Sequence, residues 1–206
     1  MAKKKTSAKK GIFARLEVLY KAMGDAYSSC AHAAGLTCEN CQENCCYTYF
    51  QHHTHVEWAY LWKGMLQLPE AQRQRYLDRA RDNVMNCNSI RAAGGVPREM
   101  CPLNDDGLCA LYGNRLMICR LHGTRNVLHL PDGRAQTFRG CYRFDELTKQ
   151  MPEENIPSVD RTPLYRELVQ LEMEYLTEQL GPKARTAPRI NMTLSEMLMA
   201  GPPKLR

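Results

Sequence analysis

The sequence predicts a mainly α-helical domain with short irregular β-hairpin segments, built as a small cysteine-rich metal-binding fold. Three observations carry this. Apolar residues recur at helical spacing in several long stretches. Residues 101–142 instead break into short apolar runs separated by turn signals. Ten cysteines occur in 206 residues, and eight of them fall in two groups.

Each element follows in order. Residues 1–11 read as a disordered basic arm. Ile12, Leu16, Leu19, Tyr20, Met23, Tyr27 and Cys30 then place a long helix over 12–34 and make Cys30 a core residue. A cysteine knuckle spans 38–46. Thr54-x-x-Glu57 reads as a capping box opening a helix over 55–67, which sets His52, His53 and His55 at an exposed helix start. Pro69, allowed in a first turn, opens a helix over 69–86. Its apolar face is Tyr76, Leu77, Ala80, Val84 and Met85, and Cys87 after it reads as core. Gly94-Gly95-Val96-Pro97 is a break. Asn104-Asp-Asp-Gly107 and Pro131-Asp-Gly133 mark turns between short strands. Thr162-Pro163 caps a helix to Leu180 with Leu164, Leu168, Leu171, Tyr175 and Leu176 on one face, and Gly181-Pro182 stops it. A basic tail follows over 183–206, with a short helix near Ser195–Met199. The organisation is an arm (1–11), a mostly helical domain (12–182) and a tail (183–206).

The formal charge of +6 belongs to the ends. Residues 1–15 hold six basic residues and no acid, and 183–206 hold five bases against Glu196 alone. The body between them carries 17 bases and 21 acids. That balance argues against a nucleic-acid-binding body, although basic ends could engage RNA or an acidic protein partner. No run is long and apolar enough for a membrane span. Ile12-Phe13-Ala14 is broken by Arg15 and Glu17, so no secretory signal core forms. The expected location is the reducing cytoplasm, where clustered thiols read as metal ligands or redox centres rather than disulfides.

Cys38-Glu-Asn-Cys41-Gln-Glu-Asn-Cys45-Cys46 packs four cysteines into nine residues among polar neighbours. A C-x2-C step lets two thiolates converge on one ion from a tight loop. Neighbouring side chains diverge, so Cys45 and Cys46 serve two metals, serve a cluster, or divide into a ligand and a thiol with another task. The second group is Cys101, Cys109, Cys119 and Cys141, and a hairpin at 104–107 would draw Cys101 towards Cys109. Thiolates suit zinc and iron–sulfur clusters alike, and the spacing does not match the ferredoxin runs. Arg115 and Arg120 are candidate donors to the thiolates, or equally members of surface salt bridges. His52, His53, His55 and His122 are weaker ligand candidates, since eight sulfurs already suffice.

Cys38-x2-Cys41-x3-Cys45-Cys46, then Cys101-Pro102-Leu103, then Cys109-Ala-Leu-Tyr112-x2-Arg115-x3-Cys119-Arg120, then Cys141, resembles the YkgJ-type cysteine-cluster family. The resemblance spans about 36–142. It implies a zinc- or iron-chelating domain with Cys38, Cys41, Cys45, Cys46, Cys101, Cys109, Cys119 and Cys141 as ligands. Leu116 departs from the pattern, where relatives carry proline. A flagellin lysine methylase is similar in its cysteine cluster, which tilts the expectation towards an iron–sulfur (4Fe–4S) cluster over Zn2+. No substrate motif matches that enzyme, so no catalytic residue carries over. The expected function is a cytosolic metal- or iron–sulfur-binding protein. The alternatives are an iron–sulfur-dependent protein-modifying enzyme and a zinc-stabilised interaction module.

Overall fold

A computed structural model describes residues 11–39, 41 and 45–205. The expected arm at 1–10, and Asn40 and 42–44 within the knuckle, lie outside the described residues. Among those described, the chain is mainly helical with two small sheets. The helices are α1 (Ile12–Ala33), α2 (His55–Met65), α3 (Glu70–Ala92), α4 (Met117–Leu121), α5 (Tyr142–Thr148), α6 (Thr162–Leu180) and α7 (Leu194–Ala200). No helix among the described residues is long and apolar enough to cross a membrane.

Strands β1 (Asn104–Asp105) and β2 (Leu108–Cys109) form an antiparallel hairpin, with Asn104 opposite Cys109. Asp106 and Gly107 both take positive φ, 51° and 89°. That pair of left-handed residues is the two-residue turn whose twist matches its strands. Strand β3 (Asn126–His129) pairs antiparallel with β4 (Ala135–Phe138) across the expected Pro131-Asp-Gly133 turn. It also pairs in parallel with β5 (Val159–Asp160), giving the order β4-β3-β5.

Two apolar cores share α2. Val56 and Tyr60 pack with Leu16, Met23, Leu121, Phe144 and Leu171. Leu61 and Met65 pack with Tyr76, Leu103, Leu116 and Met197. Each fully buried leucine contributes ~1.5–3 kcal/mol. Cys30 and Cys87 are buried as expected. The Cys30 thiol points at the Arg125 carbonyl, and Cys87 lies over Asn83.

Several expectations need correction. Thr54-x-x-Glu57 does not close a capping box, because Glu57 is buried and turned inward. Its carboxylate accepts from the Tyr20 hydroxyl (3.1 Å), the Thr54 hydroxyl (2.7 Å) and the Met117 N–H (2.7 Å). Glu172 of α6 caps α2 instead, accepting the N–H groups of His55 (3.0 Å) and Val56 (2.8 Å). His52 and His55 are consequently buried, not at an exposed start, and only His53 of the three is exposed. Thr162 does not cap α6: its hydroxyl accepts the His129 N–H at 2.9 Å, and Asp160 accepts the Thr162 N–H. Helix α3 runs past 86 to Ala92, and Met85 points to solvent, because the buried face is Tyr76, Ala80 and Cys87.

The segment set apart by composition as a basic tail packs onto the domain. Met192 bridges His52 through paired backbone bonds, and the carbonyl of Met197 accepts from the indoles of both Trp58 (3.1 Å) and Trp62 (3.0 Å). Thr193 and Glu196 form a true capping box on α7.

Candidate metal centre

The eight clustered cysteines lie on four segments of the chain. Cys38 and Cys41 lie after α1. Cys45 and Cys46 open a short 3-10 turn, Cys45–Tyr47. Cys101 and Cys109 flank the β1–β2 hairpin and pack on the core of Leu103 and Leu111, whereas Cys141 packs on the other core. Cys119 lies in α4, and Cys141 is the residue before α5.

The segments are tied together through their backbones. The Cys101 N–H donates to the Cys46 carbonyl at 3.0 Å, and the Cys141 N–H donates to the Gly123 carbonyl at 3.2 Å. The Arg143 guanidinium donates to the Glu39 carbonyl at 2.8 Å. Gly123 has no room for a side chain, because a Cβ there would fall 2.3 Å from the Tyr27 hydroxyl. That hydroxyl in turn stands 3.9 Å from the Cys38 sulfur.

Cys101 and Cys109 share a local device. The backbone N–H of Leu103 bonds the Cys101 sulfur, and the N–H of Leu111 bonds the Cys109 sulfur. Each is a Cys-x-Leu step in which a buried leucine, 1% exposed at 103 and 6% at 111, aims its own amide back at the thiol. Hydrogen bonds to the ionised form favour thiolate. This repeat was legible in the sequence as Cys101-Pro-Leu103 and Cys109-Ala-Leu111, and reading the cysteines alone missed it.

Burial outweighs these bonds. It pushes Cys109 up and, with Cys119 adding to it, pushes Cys101 up strongly; burial with Cys109 beside it pushes Cys119 up to about 12. Cys46 goes the other way, down to about 6. Its chief cause is the hydrogen bond from Cys45, which is itself pushed far up, and Asn104 and Arg115 assist. Asn104 Nδ2 and Arg115 Nε are buried donors with no well-formed hydrogen bond among the described residues. Asn104 faces Cys46, and Arg115 exerts its charge on Cys46, Cys109 and Cys119.

The two arginines therefore part company. Arg115 is stacked 3.6 Å over Tyr112 and reaches the thiols through its charge. Arg120 does not donate to sulfur: it donates to the carbonyls of Arg115 and Gly113, both at 2.7 Å, and lies 4.0 Å over the Tyr20 ring. It secures the 113–120 turn and reaches Cys109 only through space. The histidines are engaged elsewhere. His55 pairs with Glu172 at 2.8 Å, His53 meets the Ile190 carbonyl at 3.1 Å, and His122 meets the Thr48 hydroxyl at 3.2 Å.

Among the described residues, no group of three or more His, Cys, Asp or Glu side chains is set at metal-holding geometry. The sulfurs are neighbours, not a closed coordination shell. The donor set nonetheless fits a soft metal: thiols outnumber other donors, amides are aimed at two of them, and unused buried donors flank a third. Fold and face together define a mainly helical chain with a clustered-thiol seam. Compared with protein-family models, with curated proteins and with solved structures, the chain matches none.

Proposed function

We propose that this chain is a thiolate metal-binding protein of the YkgJ cysteine-cluster type, holding an iron–sulfur cluster, 4Fe–4S in kind, or Zn2+. The observation that carries the reading is the pair of Cys-x-Leu steps, whose amides are already directed at the Cys101 and Cys109 sulfurs. These donors favour thiolate against the burial that raises both thiols, and thiolate is the form that binds metal. The residues that would hold the group are Cys38, Cys41, Cys45, Cys46, Cys101, Cys109, Cys119 and Cys141, with Arg115 offsetting their charge. When bound, an iron–sulfur cluster supplies one-electron chemistry, whereas zinc supplies a structural cross-link. The half-buried positions of Cys101 and Cys119 favour the cluster, because partial exclusion of water protects it and sets its potential. The role is then electron carriage, redox sensing or metal storage in a reducing cytoplasm.

The test is anaerobic purification followed by elemental analysis and a visible spectrum of one sample. Iron, sulfide and thiolate-to-iron absorption together support the cluster. A colourless protein with stoichiometric zinc supports the zinc reading. A folded protein free of both metals overturns the proposal.

A further inference from the structure

A cavity of about 270 Å³ lies between the start of α2 and the C-terminal segment. Its walls include His55, Trp58, Pro188, Pro202, Lys204 and Leu205, and none of the eight clustered cysteines lines it. That volume is at the small end of the range for ligand pockets.

His55 is the unusual residue in this wall. It is 4% exposed, and its Nδ1 stands 2.8 Å from Oε1 of Glu172. Both oxygens of Glu172 already accept backbone N–H groups, those of His55 and Val56. A carboxylate so placed accepts, so Nδ1 carries the proton and donates it. This fixes the tautomer and leaves Nε2 as a bare lone pair. Among the described residues, Nε2 has no hydrogen-bond partner. Glu172 caps α2 through the backbone alone, so the cap does not require an imidazole at 55. A buried ring oriented at one nitrogen and unused at the other, beside a cavity, is a binding group.

The rest of the wall is already in place. Trp58 follows one turn later on the same face of α2, its ring inclined 28° to the imidazole with centroids 6.4 Å apart. The Met197 carbonyl takes the indole N–H, so Trp58 offers the cavity apolar surface and no donor. Pro188, Pro202 and Leu205 extend that surface. Lys204 adds an ammonium group that no described carboxylate pairs. The segment that carries it is positive, with five bases against Glu196, which Thr193 engages.

We infer that this cavity binds a small aromatic carboxylic acid. Such a molecule brings one proton and one negative charge. The proton is shared between its oxygen and Nε2 of His55, and Glu172 across the ring balances the charge that the imidazole takes on. The second oxygen meets the Lys204 ammonium, and the ring lies against Trp58 and the prolines. A neutral aromatic of the same shape gains only the apolar part. The site is independent of the thiolate centre, and the fate of one does not decide the other.

The test titrates the full chain, purified anaerobically, with benzoate and with benzamide as its uncharged counterpart. Nuclear magnetic resonance follows the His55 imidazole nitrogens and the Trp58 indole N–H. Benzoate should shift both along one saturable curve, and benzamide should bind about tenfold more weakly. Lys204→Gln changes an exposed side chain and should weaken benzoate about threefold. His55→Gln should weaken it about tenfold, with far-ultraviolet circular dichroism confirming the fold. Should His55→Gln fail to fold, Lys204→Gln decides. No saturable shift at Trp58, equal affinity for benzamide, or unchanged benzoate affinity in either folded variant overturns the inference.

Discussion

The Cys101 N–H donates to the Cys46 carbonyl across 3.0 Å, joining two segments that are 55 positions apart in the chain. This bond locks the knuckle onto the hairpin before any sulfur is engaged. The thiol face is thus held by backbone contacts and by leucines in the core behind it.

Substitution at the hairpin should therefore lower metal content and stability together. Cys109→Ser keeps a small polar side chain but loses the thiolate, and metal that binds only the folded state adds ~2–4 kcal/mol when well above its dissociation constant. Cys41→Ser should act in the same direction. Elemental analysis and urea unfolding on the same samples check this, and full metal retention in both variants would remove them from the ligand set.

The two leucines behind the sulfurs make a second prediction. Leu103 and Leu111 are buried, and truncation to alanine at either should cost ~2–5 kcal/mol. Because each leucine's amide bonds a cysteine sulfur, metal affinity should fall as well. Leu168→Ala makes the control, as that side chain lies in the other core on α6, an element that carries none of the cysteines. It should lose stability with little change in affinity, measured by competition with a chromophoric chelator.

Acid should unfold the protein partly through His52. Burial holds this imidazole down at about 4, against an ordinary value of 6.5. A depressed histidine contributes stability that is present above the unfolded value and is lost as pH falls through the folded one. The window runs from about 6.5 down to 4, and the full difference is worth ~3 kcal/mol. His52→Gln should flatten that part of the stability curve. Urea midpoints for both proteins at pH 7 and pH 4.5 measure the difference, and parallel curves would exclude His52 as the source.

The C-terminal segment supplies a built-in reporter. The chain has two tryptophans, and both indoles donate to the Met197 carbonyl. Ending the chain at Ala187 removes that acceptor together with Ile190, Met197 and Leu198, all buried. At ~2–5 kcal/mol for each lost side chain, the total rivals a typical domain's whole stability. The shortened protein should show red-shifted tryptophan emission and no cooperative melt. Unchanged emission would contradict the packing of α7.

Much of this architecture could be read from the sequence, and its misreadings have physical causes. Helices α1 and α6 carry single apolar stripes that face one core, so periodicity located them to within a residue. The turn at Asp106-Gly107 announced itself through residues that tolerate positive φ. Helix α3 continues past the expected end at 86 although Asn86, Asn88 and Ser89 are weak helix formers. Tertiary contacts override them: Cys87 is buried, and Asn83 holds both the Met100 carbonyl and the Ser195 hydroxyl. The motif Thr-x-x-Glu occurs at 54 and at 193 with opposite outcomes. Glu196 stays with its own helix, whereas Glu57 is claimed by Tyr20 and Met117 from elsewhere in the chain. No local pattern encodes that competition. The cysteines were conspicuous by spacing, but the division of labour between Arg115 and Arg120 depends on which carbonyls the fold presents.

The most direct test of the central claim is metal-edge X-ray absorption on the full chain purified anaerobically. A first shell made of sulfur is predicted, at the iron edge for a cluster or at the zinc edge for a structural site. A shell dominated by oxygen or nitrogen, or a folded protein with no bound metal to measure, would contradict it.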